Sequence, residues 1–497
     1  MFEKISPELI GLDSARVLEF IDALNRRKIR MHSVLMMRGD KIFAEYYWAP
    51  FDKDFCHRMY SQTKSYTAVA IGLLEEEGKL SLDAPMSSYF PEKIGAYLPR
   101  HLAEQTVREM LTMTTVAEAC RWFDESHSDR TYMYFNVNRR EEVHPAGTLW
   151  EYDSAGSQVL SNLVEKLSGK TTFEYLYDKI FCHLGTFKTA EMLKVRNGDS
   201  WGDSALVCTS RDMASFARFV LCGGVYEGKR LMNEKYLKTA TSKVRDNGEY
   251  ERHYSPFTNG YGYQIWRTEE NSFMFNGMGS QFTICSPDKD TVFVCTADTQ
   301  GSPFAGHYIV TSYFDIIYRN IGNAVLPKNP EKDKALEALT SSLKLVSAEG
   351  AIDSPFRREL SGAVYGCKEN PMGITEFSFV FSEDGRCGEL RYKNAQGDKV
   401  IPFGVNYNEF GKFPELGYSD GVGGIRTTDG FTYRDAVSFA WLEERRCKLE
   451  VQIIDRYFGN MTAYFAFKGD EAGVAMYKTA EDFLDTYEGK LIAKRIK

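Results

Sequence analysis

The sequence lacks the features that mark metal-binding and disulfide-rich proteins. Its ten cysteines are dispersed without a Cys-x-x-Cys pair, and no His, Cys and carboxylate residues recur at the spacing of metal ligands. Isolated cysteines in such a pattern are typical of reduced, mostly buried thiols. We therefore expect no disulfide framework, no bound metal and no cofactor.

The sequence also lacks a basic stripe and a long apolar run. The net charge is -8, and Lys and Arg are scattered among Asp and Glu. Nucleic acids and anionic membranes bind basic patches, so neither is an expected partner. No segment has the uncharged apolar length of a transmembrane helix, and the first 31 residues contain no apolar core of a secretion signal. These absences favour a soluble, cytoplasmic protein.

The length and the pattern of elements predict two domains and an α+β fold. A chain of 497 residues exceeds what one hydrophobic core usually supports. Strands near the start, a helical block, further strands and a helix predict an antiparallel sheet flanked by helices, with an all-helical subdomain. A charged, proline-containing segment then marks a linker, followed by short alternating strands of a barrel or sandwich. The expected boundaries are 1–325, 326–350 for the linker with a short helix, and 351–497.

Individual elements follow from local signals. A helix is expected after Ser6-Pro7, with Val17 and Phe20 on its apolar face, and a hairpin around Gly39-Asp40. From Lys64 the sequence AVAIGLL is apolar on nearly every side, which predicts a buried helix ending near Gly78.

Ser61 and Lys64 form a Ser-x-x-Lys pair at the start of this buried helix. The same spacing occurs at Ser286–Lys289, a predicted hairpin turn, and at Ser341–Lys344, in the predicted linker. Only at Ser61 does the pair open a buried helix, where residues three apart share one face. Burial disfavours the ammonium, so we expect a neutral Lys64 that removes the Ser61 proton. The alternative is a helix-capping serine beside a solvated lysine.

A tyrosine is the expected second proton-handling group. Tyr-x-Ser/Asn occurs at Tyr134, Tyr152 and Tyr318. Tyr152 is favoured because it lies in a loop directly before an amphipathic helix, Tyr134 is second, and Tyr318 is expected in the core. The alternative for Tyr152 is a half-buried structural tyrosine.

The strand FMFNGMGSQ carries two glycines, Gly277 and Gly279, that interrupt its pattern. Glycine inside a strand marks a bulge or a place where backbone approaches another group closely. The N–H groups of Met278 and Ser61 could then hold an oxyanion. A bulge without a catalytic role is the alternative.

These phrases, together with WEYDSAGSQVLSNLVEKLSG, SRDMASFARFVLCGG and YGYQIW in the same order, resemble the serine β-lactamase-like superfamily. Its members include class C β-lactamases, D-alanyl-D-alanine carboxypeptidases, esterases and amide hydrolases of small linear dimers. The resemblance covers about residues 1–325 and implies a β-lactamase/transpeptidase-like fold. It implies that Ser61 is acylated, that Lys64 and Tyr152 handle protons, and that Ser154 positions Lys64 or substrate. The C-terminal strands are similar in rhythm to the lipocalin-like domain of some members.

The third motif departs from the β-lactam-processing members. Where they have Lys-Thr-Gly or His-x-Gly, this chain has Phe275-Asn276-Gly277 and therefore lacks the cation. Asn276, Gly277 and Gly279 are expected to line the substrate site. We expect a serine hydrolase that cleaves a small ester, amide or peptide-like substrate through an acyl-enzyme on Ser61. The alternatives are a β-lactamase or D,D-peptidase and, from another class, a non-catalytic binding protein. A homo-oligomer is left open.

Overall fold

The chain divides into two compact units in a computed structural model. One unit comprises Met1–Thr299 and Phe304–Lys344, and the other consists mainly of residues after Leu345. The structure describes residues 2–116, 128–137, 144–248, 255–302, 304–416, 432–455, 458–479 and 487–497.

Within the described residues the first unit contains three β-sheets. Its strands are β1 (Glu3–Lys4), β2 (Met31–Arg38), β3 (Lys41–Tyr47), β4 (His57–Arg58), β5 (Glu191–Met192), β6 (Leu206–Cys208), β7 (Val225–Tyr226), β8 (Lys229–Arg230), β9 (Trp266–Arg267), β10 (Phe273–Gly277), β11 (Gln281–Ser286) and β12 (Thr291–Ala297). The main sheet has the order β1-β3-β2-β12-β11-β10-β9, and β4-β6-β5 form a small second sheet. All pairs in the main sheet are antiparallel apart from β1 with β3.

The helices of the first unit lie between and after its strands along the chain. They are α1 (Ser14–Arg26), α2 (Thr63–Glu76), α3 (Arg100–Glu104), α4 (Val107–Leu111), α5 (Arg130–Asn136), α6 (Ser154–Ser168), α7 (Thr172–Leu176), α8 (Cys182–Leu184), α9 (Ser210–Leu221), α10 (Glu234–Ala240), α11 (Ala305–Ser312) and α12 (Pro330–Thr340). Short 3-10 or π turns lie at Pro7–Ile10, Tyr60–Gln62, Met86–Tyr89, Pro91–Lys93, Tyr177–Phe181, Pro287–Lys289, Tyr313–Ile317 and Tyr318–Asn320.

The main sheet is buried on both faces, and alternate residues of its strands enter different cores. Along β12, Val292 and Val294 join a core with α2, α6 and α9, whereas Phe293 and Cys295 join a core with α1 and α11. This is the period-two consequence of the pleat. The layered arrangement confirms the expected α+β fold and fixes α2 beside the sheet.

Two expectations for this unit are corrected. The first helix begins at Ser14, because Gly11 adopts a left-handed conformation that ends the turn after Pro7 and Asp13 caps the next helix. The segment expected as a linker contributes α12 to the first unit, whose core buries Leu336. The Gly39-Asp40 hairpin and the buried α2 are confirmed to within a residue.

The second unit is a barrel-like sheet of ten strands within the described residues. It contains α13 (Arg357–Leu360), β13 (Val364–Cys367), β14 (Glu376–Phe381), β15 (Cys387–Asn394), β16 (Gly397–Val405), β17 (Glu409–Leu416), β18 (Thr432–Glu443), β19 (Arg446–Ile454), β20 (Phe458–Lys468), β21 (Glu471–Lys478) and β22 (Gly489–Arg495). The order is β16-β15-β14-β13-β22-β21-β20-β19-β18-β17, and β16 also pairs with β18. That additional pairing closes the sheet and confirms the all-β expectation.

Candidate active site

Ser61 lies in the tight turn Tyr60–Gln62 that leads into α2. Tyr60 has a φ of 46°, a conformation that is strained for a bulky residue. Surrounding contacts hold it: the Met59 N–H donates to the Leu206 carbonyl at 2.7 Å, and the Thr283 hydroxyl donates to Gln62 Oε1 at 3.0 Å. The strained turn leaves Ser61 only partly buried while its neighbours on either side are buried. Strain of this kind is found at functional sites.

Lys64 faces Ser61 from the first turn of α2. Its Nζ donates to Ser61 Oγ at 3.0 Å and to the backbone carbonyl of Asp203 at 2.9 Å. A carboxylate oxygen of Asp203 lies 3.5 Å from the same Nζ, and both side chains are almost completely buried. The alternative of a solvated lysine is therefore wrong.

The charge of Lys64 differs from the expectation of a neutral amine. Burial lowers the pKa of Lys64, but the Tyr152 phenol and the Asp203 carboxylate raise it by charge and hydrogen bonding, and the net direction is upward. Burial alone suggested a neutral amine because the sequence did not reveal the second partner, Asp203. Both partners therefore favour the ammonium form of Lys64 over the neutral amine.

Tyr152 approaches Lys64 from the loop before α6. The Lys64 Nζ lies 5.1 Å from the centre of the phenol ring. The ring stacks on Trp266 of β9, with centres 5.7 Å apart and planes inclined by 29°. Asp153, the next residue, caps α6 by accepting from the Gly156 N–H at 3.0 Å, and it also accepts from the Thr115 hydroxyl at 2.9 Å. The loop that carries the phenol is thus fixed on both sides.

The end of β10 packs directly against the turn of Ser61. A Cβ on Gly277 would lie 2.1 Å from the Met59 carbonyl oxygen and 3.3 Å from the Gln62 nitrogen, so no larger residue fits. Met278 follows with 39% of its surface exposed, and Gly279 has a φ of 75°. Within the described residues no hydrogen bond from the Met278 N–H is found. The close approach expected from the glycines is present, and Asn276 lies half-buried beside it.

The 200–205 loop, between β5 and β6, is the part of the site that the sequence did not reveal. Its Asp203 reaches Lys64, and its Gly202 carbonyl accepts from the Thr67 hydroxyl of α2 at 2.7 Å. Arg58 of β4, fully buried, donates to the Ser204 carbonyl at 3.1 Å and to the Ser204 hydroxyl at 2.8 Å. No local pattern signals these contacts, which join residues about 140 positions apart.

Ser154 does not have the expected contact. It opens α6 directly after its cap residue, and no hydrogen bond between Ser154 and Lys64 is present in the described part of the chain. A role in contacting substrate stays a prediction.

The rival motif matches serve the fold. Tyr134 is fully buried and its hydroxyl accepts from Gln105 at 2.7 Å, while Tyr318 is buried in the core beside α11. Ser286 bonds the Ser272 hydroxyl at the end of β11, before the 3-10 turn of the hairpin. Ser341 ends α12.

Metal clusters and membrane-spanning helices are both absent from the described residues. No group of three or more His, Cys, Asp and Glu side chains lies close enough to hold a metal ion. No helix there has the length and apolar character needed to cross a membrane.

A family profile named Beta-lactamase matches residues 19–311, which is more than half of the chain. The chain belongs to the Beta-lactamase family. The match contains Ser61, Lys64, Tyr152 and the β10–β11 hairpin, and family membership confirms the resemblance inferred from the sequence. The protein is accordingly a hydrolase of this family.

Similar proteins are known at modest identity. The 6-aminohexanoate-dimer hydrolase of Paenarthrobacter ureafaciens is 26% identical over 284 residues, which cover 52% of this chain and 70% of that one. A solved structure from Bacillus anthracis, whose name proposes a 6-aminohexanoate-dimer hydrolase, has a TM-score of 0.51 at 18% identity and covers 63% of this chain and 87% of that one. SurE, solved with D-Leu, has a TM-score of 0.50 at 14% identity, with coverages of 85% and 93%. The two structures show the fold.

Proposed function

We propose that the protein hydrolyses a small amide or ester through a covalent acyl-enzyme on Ser61. The observation that carries the proposal is the 3.0 Å contact between Ser61 Oγ and the buried Lys64 Nζ, which also lies 5.1 Å from the centre of the Tyr152 ring. A serine is a weak nucleophile unless a neighbouring group takes its proton. The Lys64–Tyr152 pair is positioned for that task.

The raised pKa of Lys64 suggests how the pair divides the work. With Lys64 as an ammonium and Tyr152 as a phenolate, the Tyr152 oxygen accepts the proton of Ser61 as Oγ bonds to the carbonyl carbon of the substrate. The same proton then passes to the leaving amine or alcohol when its bond to that carbon breaks. In the second half of the reaction, water attacks the acyl carbon while the Tyr152 oxygen takes a proton from it. The bond between Ser61 Oγ and that carbon then breaks, Oγ takes the proton back, and the acid is released.

The developing oxyanion needs donors near Ser61. The backbone N–H groups of Ser61 and Met278 are the proposed pair, because Gly277 brings β10 to within contact of the Ser61 turn. Substrate would lie along Asn276, Gly277 and Gly279.

The substrate class is proposed from two observations. Phe275 stands where β-lactam-processing members carry a cation that binds the substrate carboxylate, and this favours a substrate without that requirement. A relative at 26% identity is named for hydrolysis of 6-aminohexanoate dimer, a linear amide. We therefore rank small linear amides and short-chain esters above β-lactams.

The acyl-enzyme is tested with a fluorophosphonate probe, followed by mass mapping of the labelled peptide. We expect a single adduct on Ser61 in the folded wild type and none in Ser61→Ala. Ser341→Ala is the matched control, because Ser341 has the same Ser-x-x-Lys spacing directly after α12 but is exposed, as is Lys344. Labelling of Ser61 in this variant should equal that in wild type. Absence of a Ser61 adduct in folded wild-type protein would favour the non-catalytic binding protein.

Substrate ranking needs a separate comparison. Turnover of 6-aminohexanoate dimer, a short-chain nitrophenyl ester and a chromogenic cephalosporin is measured at equal enzyme concentration. We expect the amide or the ester to have the larger kcat/KM. Fastest turnover of the cephalosporin would make the protein a β-lactamase.

A further inference from the structure

Asp203 is a buried carboxylate that touches the amine of the proposed nucleophilic site. Its Oδ2 lies 3.5 Å from Lys64 Nζ, and its own backbone carbonyl accepts from the same Nζ at 2.9 Å. The two side chains are only 2% and 3% exposed. Taking a carboxylate out of water is costly unless a partner compensates it, so this pairing requires a reason.

The 200–205 loop is built to hold Asp203 in place. A Cβ on Gly202 would lie 2.0 Å from Ser161 Oγ of α6, so the residue before Asp203 must be glycine. On the other side, the Arg58 guanidinium binds Ser204 and is sandwiched between the rings of Tyr60 and Trp201, at 4.3 and 4.0 Å. Asp203 is therefore fixed from both neighbours, and the clamping Arg58 lies three residues before Ser61.

Two titratable groups face Lys64 from the elements packed against it. Tyr152 comes from the loop before α6, and Asp203 comes from the loop before β6. Of these, only Asp203 is a carboxylic acid, a type of group that is ordinarily ionised near neutral pH. A negative charge at this distance favours the ammonium over the neutral amine.

We propose that Asp203 is a positioning residue that holds Lys64 as an ammonium and points it at Ser61. The inference rests on the proposed function. In its active form the pair then consists of a Lys64 ammonium and a Tyr152 phenolate. The Tyr152 oxygen is left to take the proton from Ser61 Oγ as the bond from Oγ to the substrate carbon forms, and no other co-reactant is needed.

The test is the pH dependence of fluorophosphonate labelling at Ser61, which reports attack by Ser61 without the later steps. In Asp203→Asn the loop keeps its backbone carbonyl contact but loses the charge. Both the acid and the alkaline limbs of the labelling profile should then move to lower pH, by about one unit or more, because removal of a negative charge makes each proton of the pair easier to lose.

Glu165→Gln is the matched control. Glu165 of α6 accepts hydrogen bonds from the Ser200 and Thr172 N–H groups and thus supports the same loop without facing Lys64. Its profile should keep the wild-type limbs, even if the variant is less stable. Asp203→Ser supplies a second, smaller polar variant if the amide does not fold.

The outcomes separate the two proposals. If the limbs of the labelling profile are unshifted in folded Asp203→Asn or Asp203→Ser, the proposed role of Asp203 is overturned. This holds whether or not the labelling rate falls. A shift of the same size in Glu165→Gln also overturns it, because loss of loop support would then be the cause. No labelling of wild type instead refutes the acyl-enzyme itself.

Discussion

The two units of the chain treat charge in their interiors differently. In the first, Arg58, Lys64 and Asp203 are all buried and converge beside Ser61, each with hydrogen-bonding partners. In the second, aromatic rings fill the interior: Phe379, Phe381, Phe403, Phe439, Phe465 and Trp441 are in mutual contact. Among the described residues of the second unit, Asp435 of β18 is the buried carboxylate.

This difference indicates which unit carries the groups suited to catalysis. Buried ionised groups cost solvation free energy and are retained where a proton or charge must be controlled. Aromatic packing gives stability without such groups. Placement of the reaction in the first unit predicts that changes of single polar atoms there alter activity, whereas changes in the barrel alter stability.

The largest expected effect is that of Ser61→Ala on hydrolysis. Without the nucleophile, kcat/KM for the best ester or amide should fall by about 10⁴-fold or more. Thermal unfolding should change little, since Ser61 is only partly buried. A residual rate within tenfold of wild type would show that the reaction does not use this serine.

Phe439→Ala should be the largest stability change in the comparison. The ring is fully buried, and its centre lies 4.8 Å from that of Phe403 and 5.1 Å from that of Trp441. Its loss should lower the free energy of unfolding, measured with urea, by about 3 to 5 kcal/mol. Labelling of Ser61 under native conditions should persist. Phe410→Ala, with a side chain 53% exposed, is the control and should stay within about 0.5 kcal/mol of wild type.

Asp435 should make the barrel less stable as the pH rises. Burial raises its pKa from 3.8 to about 7, despite the Gly411 N–H that opposes the shift. Between these values the folded state keeps a proton that the unfolded chain has lost, so stability falls with rising pH and the decline ends above about pH 7.

Asp435→Asn removes that dependence. The stability difference between the variant and wild type should be near zero at about pH 4 and should grow by about 1.4 kcal/mol per unit up to pH 7 in urea titrations. A difference that does not change with pH would show that the carboxyl is not buried as described.

Tyr152→Phe should have the smallest of the four effects. The ring still stacks on Trp266, but the oxygen that takes the Ser61 proton is lost, so the labelling rate should fall by about 10²-fold. Tyr134→Phe is the control from the rival Tyr-x-Asn match. It removes a buried hydrogen bond to Gln105 and should lower stability by about 1 kcal/mol without slowing labelling. Equal labelling by Tyr152→Phe and wild type would exclude the phenol as the base.

Much of the site was predictable because its signals are local. Ser61 and Lys64 are three residues apart on one helix, so their contact follows from helical geometry, and the glycines of FMFNGMGSQ indicated a close backbone approach. Four strands of the barrel, β13, β17, β21 and β22, were not anticipated. The pairing of β13 with β22 joins residues far apart in the chain, such as Tyr365 and Arg495, so no local pattern marks it.

By itself, then, the sequence predicted the contact between Ser61 and Lys64, the buried helix beside it and the existence of an α+β unit followed by β strands, because these depend on periodicity and short spacing. Only the tertiary structure placed Tyr152 and Asp203 beside Lys64, where both favour its ammonium form. Asp203 lies 139 positions away from Lys64 and is held in place by Gly202, Arg58 and Trp201. Electrostatic interactions act through space between groups that the fold brings together, and no local pattern encodes such distances.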